Sequence, residues 1–233
     1  MRIVVVGGTG RIGARVVTLL RDQGHDVAAA SRSTGVDALS GTGLAEALSG
    51  AEVLVDVTNP RAPAPASPME FFTVGTSNLV EAALRAGIGH YVVLSIVGID
   101  LVPDSAYYRA KVVQEREVTA SSLPSSIVRA TQFVEFTDAI VDSMTDGREV
   151  RVPDAVIQPI PADDVATTLA RVATGSPTDT ILEIAGPSIL TFEQMAREVL
   201  IRRGDATLRV VVDSAARYFG AQLASRSLIP QPS

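Results

Sequence analysis

Met1-Arg2-Ile3-Val4-Val5-Val6-Gly7-Gly8-Thr9-Gly10-Arg11-Ile12-Gly13 sets the reading of the whole chain. An apolar, β-branched run leads into Gly7-x-x-Gly10-x-x-Gly13, and a helical spacing of apolar residues (Ile12, Val16, Val17, Leu20) begins at once. The order is strand, tight turn, helix. At such a helix N-terminus the backbone N–H groups and the helix dipole both favour negative charge, so a pyrophosphate can rest there. Gly7 is expected to let the chain turn, Gly10 to let backbone approach phosphate, and Gly13 to let the helix pack closely on the strand. Three glycines at this spacing suit any tight strand–helix turn. Their place at the head of a βαβ pattern points to a dinucleotide site.

Bulk properties narrow the class. A chain of 233 residues, 46% of them hydrophobic, fits one ordered domain over 1–233, within which about 150–233 forms a small C-terminal lobe. No apolar run reaches about 18 residues, so neither a membrane span nor a signal peptide is expected. The absence of cysteine excludes disulfides and thiolate metal sites, and a cytoplasmic location is expected. A net charge of −6 argues against nucleic acid as a direct partner, since phosphate binding needs clustered Lys and Arg. The two histidines, His25 and His90, each precede an expected strand and read as ordinary loop residues. No metal site is expected.

Apolar runs alternate with helical patterns through the first 130 residues. Strands are expected at Ile3–Val6, Asp26–Ala30, Val53–Val57, Tyr91–Ser95 and Ser126–Arg129, with helices near Arg11–Asp22, Gly43–Leu48, Pro68–Ala86 and Ser105–Ala120. Runs such as Val53-Leu54-Val55 lack alternation, as strands covered on both faces do. The implied fold class is α/β: a Rossmann-type, doubly wound parallel sheet with a small C-terminal substrate lobe. A helix across Phe133–Val141 opens the last part. Strands at Glu149–Val152 and Val156–Ile160, a helix at Ala162–Ala173, a strand at Thr180–Ile184, a helix at Phe192–Ile201, a strand at Leu208–Val212 and a final helical piece complete it. Ser227–Ser233 reads as a frayed tail. The Pro/Ala segment Asn59–Pro68 can continue neither strand nor helix, and reads either as a plain surface loop or as the edge of a ligand pocket.

The end of the second strand bears on cofactor choice. NAD-binding versions of this fold place an Asp or Glu there for the ribose 2′-OH. This chain has Ala28-Ala29-Ala30-Ser31-Arg32-Ser33 instead. A guanidinium beside hydroxyls suits a 2′-phosphate, so NADP(H) is preferred over NAD(H). Asp37 either approaches the adenine or caps the next helix. Farther on, Ser95 precedes Tyr107-Tyr108-Arg109-Ala110-Lys111, in which Tyr107 and Lys111 share one helical face. An ammonium beside a phenol favours phenolate, lowering the tyrosine pKa toward an acid/base range, and the Ser95 hydroxyl could polarise a carbonyl.

The sequence resembles the short-chain dehydrogenase/reductases (SDRs), and most closely their atypical, NmrA-like or NAD(P)H-binding branch. The residues that carry the resemblance are Gly7-Gly8-Thr9-Gly10-Arg11-Ile12-Gly13, Ser31-Arg32, Ser95, Tyr107-x-x-x-Lys111, Arg129-Ala130-Thr131-Gln132-Phe133 and Gln158-Pro159-Ile160-Pro161-Ala162-Asp163-Asp164-Val165-Ala166. The resemblance implies that Gly7, Thr9, Gly10, Arg11 and Ile12 hold the pyrophosphate, with Ser31 and Arg32 on the 2′-phosphate. It also implies that Lys111 bonds the nicotinamide ribose, that Tyr107 is the acid/base, and that Thr131, Gln132 and Phe133 flank the nicotinamide. Val57-Thr58-Asn59-Pro60 departs from the Asn-Ala-Gly signature usual after the third or fourth strand, and Thr58 is a further candidate cofactor contact.

Other residues take plainer readings. Asp163 and Asp164 follow Pro161 and suit a helix first turn. Phe71, Phe72 and Phe136 default to core, Phe133 is favoured for a pocket, and Glu135 is a loose candidate for substrate contact. The resulting expectation is an NADPH-dependent SDR-like oxidoreductase, a monomer or homodimer, reducing a small apolar carbonyl, quinone or enone with Tyr107, Lys111 and Ser95 as catalytic residues. The alternatives are an NmrA-like NADP(H)-sensing protein without turnover and a sugar-nucleotide epimerase or dehydratase.

Overall fold

The computed structural model describes residues 1–60 and 66–231, so the centre of the Pro/Ala segment and its expected pocket-edging role lie outside the described residues. The chain runs β1 (Arg2–Val6), α1 (Arg11–Asp22), β2 (Asp26–Ala30), α2 (Leu44–Leu48), β3 (Val53–Asp56), α3 (Pro68–Ala86), β4 (His90–Ile96), α4 (Ala106–Ala120) and β5 (Ser125–Ala130). It continues through α5 (Thr137–Ser143), β6 (Thr145–Asp146), β7 (Glu149–Val152), β8 (Val156–Ile157), α6 (Ala162–Thr174), β9 (Ile181–Ile184), β10 (Leu190–Thr191), α7 (Phe192–Arg203) and β11 (Arg209–Val212).

Local signals explain the helix ends. Ser67 accepts a hydrogen bond from the Glu70 N–H at 3.2 Å, Pro68 occupies the first turn of α3, and Gly87 at φ 71° closes the helix. Thr191 and Gln194 form a reciprocal cap on α7, which ends at Gly204 with φ 66°.

Six strands form one sheet in the order β2-β1-β3-β4-β5-β9. β1 pairs in parallel with β2 and β3, and β3 with β4. The outer pairings keep the same sense. Tyr91 and Val97 donate to Pro124 and Ala130, and Ile127 and Thr131 donate to Thr180 and Ile184, so both strands of each pair advance together. The sheet reverses its winding between β1 and β3. In open α/β sheets that reversal leaves a crevice at the strand C-termini.

Alternate residues of each strand face opposite helical layers. Val4, Val6, Leu54, Tyr91, Val93 and Ile127 share a core with Leu44 and Leu48 of α2, Leu79 and Ala83 of α3, and Val118 of α4. The other face, including Ile3, Val5 and Val55, is equally buried, on the side where α1 packs on α6. The sheet is doubly wound.

Two compact units divide the chain: Met1–Ser95 with Ala110–Arg129 and Ala162–Leu182, and Ile96–Arg109 with Ala130–Pro161 and Glu183–Ser233. The first holds most of the central sheet. The second contains a three-stranded sheet, β11-β7-β6, and the two-stranded pair β10-β8.

Several expectations are corrected. Phe133–Val141 splits into a 3-10 turn at Val134–Phe136 followed by α5. The expected strand Val156–Ile160 stops at Ile157, because Pro159 has no N–H for a ladder, and Ile160 only bridges Phe133. No helix follows α7 among the described residues. The tail is anchored: Ser227, Leu228 and Ile229 are buried, and Leu228 bridges Ile157. His90 is no loop residue; it starts β4, with Nε2 2.8 Å from Ser126 Oγ.

Candidate functional site

Within the first unit, the turn after β1 is built from hydrogen bonds that consume its own N–H groups. Gly7 donates to the Ala30 carbonyl at 2.9 Å, Gly8 to Val5 at 3.1 Å, and Gly10 to Gly7 at 2.9 Å. This leaves the first turn of α1 to receive a ligand. Its N-cap is Gly10, no side chain caps it, and no acid lies in that turn. An uncapped N-terminus at the strand reversal fits an anionic group. Thr9 and Arg11 are exposed there, whereas the Ile12 side chain is buried, so Ile12 can offer a ligand only its backbone.

The glycines divide the work unevenly. Gly7 takes φ +85°, and a Cβ on Gly13 would collide with the Gly7 carbonyl. Gly8 matters too, although the sequence reading gave it no role: a Cβ there would come 2.6 Å from the Val5 carbonyl oxygen and 2.9 Å from Ala29 Cα. Its signal was the paired Gly7-Gly8.

At the end of β2, Ser31 and Thr34 cap a short 3-10 turn that carries Arg32. Ser31 Oγ lies 2.8 Å from Ser33 Oγ. Arg32 is exposed and enters no ion pair among the described residues, so its guanidinium is available to an anion. Asp37 shapes the following loop, its Oδ1 accepting the Leu39 N–H at 3.0 Å.

A buried polar cluster lies at the C-terminal ends of β3 and β4. Asp56, fully buried, closes the otherwise apolar β3. Its Oδ1 accepts the Thr58 N–H at 2.9 Å, which fixes half-buried Thr58, and its Oδ2 accepts from Tyr91 Oη at 3.1 Å and Gln114 Nε2 at 2.8 Å. Lys111 is 3% exposed. Its Nζ donates to the Leu94 carbonyl at 2.7 Å and to Gln114 Oε1, and lies 4.7 Å from the Phe72 ring centroid. Burial lowers its pKa to about 8, against the opposing pull of Asp56 and Glu115. Ser95 follows Leu94 in β4, and its buried Oγ has no hydrogen-bond partner. Beside the cluster, Arg129 holds Glu115 through two bonds of 2.9 and 2.6 Å. Asp56 and Gln114 were missed by the sequence reading. The signals were an acid ending an apolar strand and an amide three residues after Lys111 on the same helix.

The remaining candidates belong to the second unit. Tyr107 is half-buried, one turn before Lys111 on α4. The expected lowering of its pKa does not occur here. Burial first, and then the neighbouring Tyr108 phenol, push it well above the usual tyrosine value. Tyr108 is buried and accepts from Gln132 Nε2 at 3.4 Å and from Tyr218; burial pushes it up to about 12. Gln132 Oε1 is buried without a partner. Thr131 Oγ1 donates to the Gln158 carbonyl at 2.5 Å, and the half-buried Phe133 stacks on Phe136 with centroids 5.7 Å apart. In the first unit, Asp163 and Asp164 lie in the first turn of α6, where Asp163 accepts from Arg15 at 2.5 Å.

Comparison with known proteins points the same way. Residues 7–175 match a protein family described as NAD(P)H-binding. The photosystem II assembly factor Ycf39 of Synechocystis sp. is 28% identical over 149 residues, covering 58% of this chain. The chain spans about half the length of that relative, 46% of it. Among solved structures, an NADPH-dependent quinone oxidoreductase of Escherichia coli in complex with NADPH aligns with a TM-score of 0.71 at 19% identity, covering 92% of this chain and 78% of that one. UDP-glucose 4-epimerase of Thermus thermophilus in complex with NAD aligns with a TM-score of 0.73 at 18% identity, covering 99% of this chain and 90% of that one. At such identities the structural likeness speaks for the fold alone. No helix among the described residues is long and apolar enough to cross a membrane. The glycine turn, the sheet reversal beside it and the family match across most of the length agree, and the chain belongs to the NAD(P)H-binding family.

Proposed function

We propose that this protein is an NADPH-dependent oxidoreductase that reduces a small, mostly apolar carbonyl, quinone or enone. The observation that carries the cofactor choice is the exposed, unpaired Arg32 after β2, in a unit whose α1 N-terminus is uncapped. A guanidinium can make two charge-assisted bonds to a 2′-phosphate, and no acid stands at the end of β2 to hold a 2′-hydroxyl. NADPH, held by the α1 N-terminus and Arg32, would supply the hydride to the substrate carbon. Tyr107 gives its phenolic proton to the substrate oxygen and is reprotonated from solvent; the product is the alcohol from a carbonyl, the enol from an enone, and from a quinone the keto-enol that tautomerises to the hydroquinone. Its raised pKa keeps that proton in place until the substrate oxygen becomes basic enough to take it. Lys111 of α4, which reaches β4 at the Leu94 carbonyl, and Ser95, the next residue of that strand, complete the proposed catalytic set. The quinone reductase among the structural neighbours is in keeping with this substrate class.

A second reading, an NADP(H) sensor without turnover, is favoured by one observation: the Lys111 ammonium already has its contacts inside the protein. The sugar-nucleotide reading draws on fold likeness alone. The test is NADPH oxidation followed spectrophotometrically against quinones, enones and aldehydes. Substrate-dependent oxidation supports the reductase, whereas NADPH binding without oxidation by any of them supports the sensor.

A further inference from the structure

Lys111 is the chain's only lysine; apart from two histidines, every other basic side chain is an arginine. Arginine stays charged at any accessible pH, whereas a buried amine can release its proton. The one position that has an amine is also among the most buried charged positions in the protein.

We propose that Gln114 and Asp56 are positioning residues for Lys111: the Asp56 carboxylate fixes which way the Gln114 amide faces, and that amide holds the Lys111 ammonium against β4. An ionised carboxylate only accepts hydrogen bonds, while a primary amide has a donor end and an acceptor end. Among the described residues, the groups that bond Asp56, namely Thr58 N–H, Tyr91 Oη–H and Gln114 Nε2–H, are all donors. With its NH2 held on Asp56, Gln114 must turn Oε1 the other way, and that is where Lys111 Nζ lies. A reversed amide would set two donors against each other at Lys111 and two acceptors against each other at Asp56.

The ammonium is thus satisfied by neutral groups: the Leu94 carbonyl, the Gln114 carbonyl and the face of Phe72. Among the described residues, the charges that act on it stand at one remove: Asp56 on β3 and Glu115 on α4, the latter neutralised by Arg129 of β5. The nearby phenols are Tyr91 on β4, which donates to Asp56, and Tyr107, one turn earlier on α4. The carboxylate therefore acts on Lys111 through the orientation of an amide as well as through space. This arrangement keeps the amine on the Leu94 carbonyl, one residue before Ser95 in β4, and ready to change protonation state. Its consequence for turnover rests on the function proposed above; the positioning itself does not.

The chain's single lysine makes the test direct. Protein carrying [13Cε]lysine gives one resonance, whose titration reports Lys111 without cofactor or substrate. The wild type is expected to titrate near 8. Titration near 10.5, the ordinary lysine value, overturns the proposal before any variant is made. Gln114→Met removes the acceptor at nearly constant volume and is expected to lower the midpoint by about one unit or more, the equivalent of a lost charge-assisted bond. Asp56→Asn, which does not touch Lys111, is expected to lower it as well, because the Gln114 amide loses its reason to face Asp56. Gln114→Glu, presenting a carboxylate directly, is expected to raise it.

The double variant Asp56→Asn/Gln114→Met separates relay from field. If Asp56 acts mainly through Gln114, adding Asp56→Asn to Gln114→Met moves the midpoint by well under half its effect in the wild type. Fully additive shifts, or no shift in Asp56→Asn alone, overturn the proposal. Should Gln114→Met fail to fold, opposite shifts in Asp56→Asn and Gln114→Glu still support it, and shifts of the same sign overturn it. These results stand even in a protein with no turnover. Where turnover is present, the limb of the kcat–pH profile governed by Lys111 is expected to move with the NMR midpoint.

Discussion

Gly7 and Val57 meet so closely that a β-carbon on Gly7 would lie 2.7 Å from the Val57 carbonyl oxygen, and Gly7 also takes φ +85°. The contact joins the ends of β1 and β3, the two strands between which the sheet reverses. The same residue is excluded from any other identity twice, by backbone conformation and by space.

Gly7→Ala is therefore expected to destabilise the protein by about 1–3 kcal/mol from backbone strain alone and to abolish nucleotide binding, because the turn that presents α1 must move. Gly10→Ala, whose Cβ would come only 3.1 Å from the Gly7 carbonyl, is expected to be milder. Urea unfolding and nucleotide titration of both variants check this. Wild-type stability in Gly7→Ala would contradict the close packing of the two turns.

Arg129 and Glu115 form a buried pair, with side chains 11% and 7% exposed. Glu115→Gln or Arg129→Met leaves one charge without its partner and is expected to cost about 3–5 kcal/mol, measured by urea unfolding. Replacing both by methionine is expected to recover much of the loss. A double variant less stable than either single one would show that the pair contributes more than mutual neutralisation.

Lys111 gives the stability a pH dependence of definite sign. Its pKa is about 8 folded against 10.5 as a free side chain, so between those values the unfolded chain holds a proton that the folded chain has released. Raising the pH through that window favours the folded state, and below about 8 the cost of burying the charge is fully present. The raised pKa values of Tyr91, Tyr107, Tyr108 and Tyr218 act oppositely above about 10, where the unfolded chain ionises its phenols first. The wild type is therefore expected to gain stability relative to Lys111→Met between about pH 8 and pH 10. A difference that stays flat across that range would contradict a buried amine of lowered pKa.

Much of this was legible in the sequence. Arg11–Asp22 and Pro68–Ala86 match α1 and α3 to the residue, because Gly10, Ser67, Pro68 and Gly87 mark their ends in local chemistry. β1 to β5 fall within a residue or so of their expected bounds, since apolar runs between turns leave little choice. The last third was harder. Pro159 cuts short a run that hydrophobicity alone would extend, and Leu228 is buried by a partner, Ile157, that lies far away in sequence. The candidate site divides in the same way. The glycine turn is local and was readable, but which way Lys111 points is set by Asp56 through Gln114, a relation over 58 residues that no spacing rule reports.

Tyr107→Phe removes the proposed proton donor and leaves the glycine turn and Arg32 untouched. It is expected to abolish carbonyl or quinone reduction while changing NADPH affinity less than about twofold, well under the cost of a lost hydrogen bond. Steady-state oxidation rates and a binding titration on the same preparation check both halves. Unchanged turnover would remove Tyr107 from the mechanism.

The most direct measurement is calorimetric titration of the wild type and of Arg32→Ala with NADPH, NADP+, NADH and NAD+. The account predicts that the wild type binds NADPH far more tightly than NADH, and that Arg32→Ala weakens NADPH by about 1.5–3 kcal/mol, roughly tenfold or more, while leaving NADH almost unchanged. Equal weakening of both nucleotides, or a wild type that prefers NADH, would contradict it.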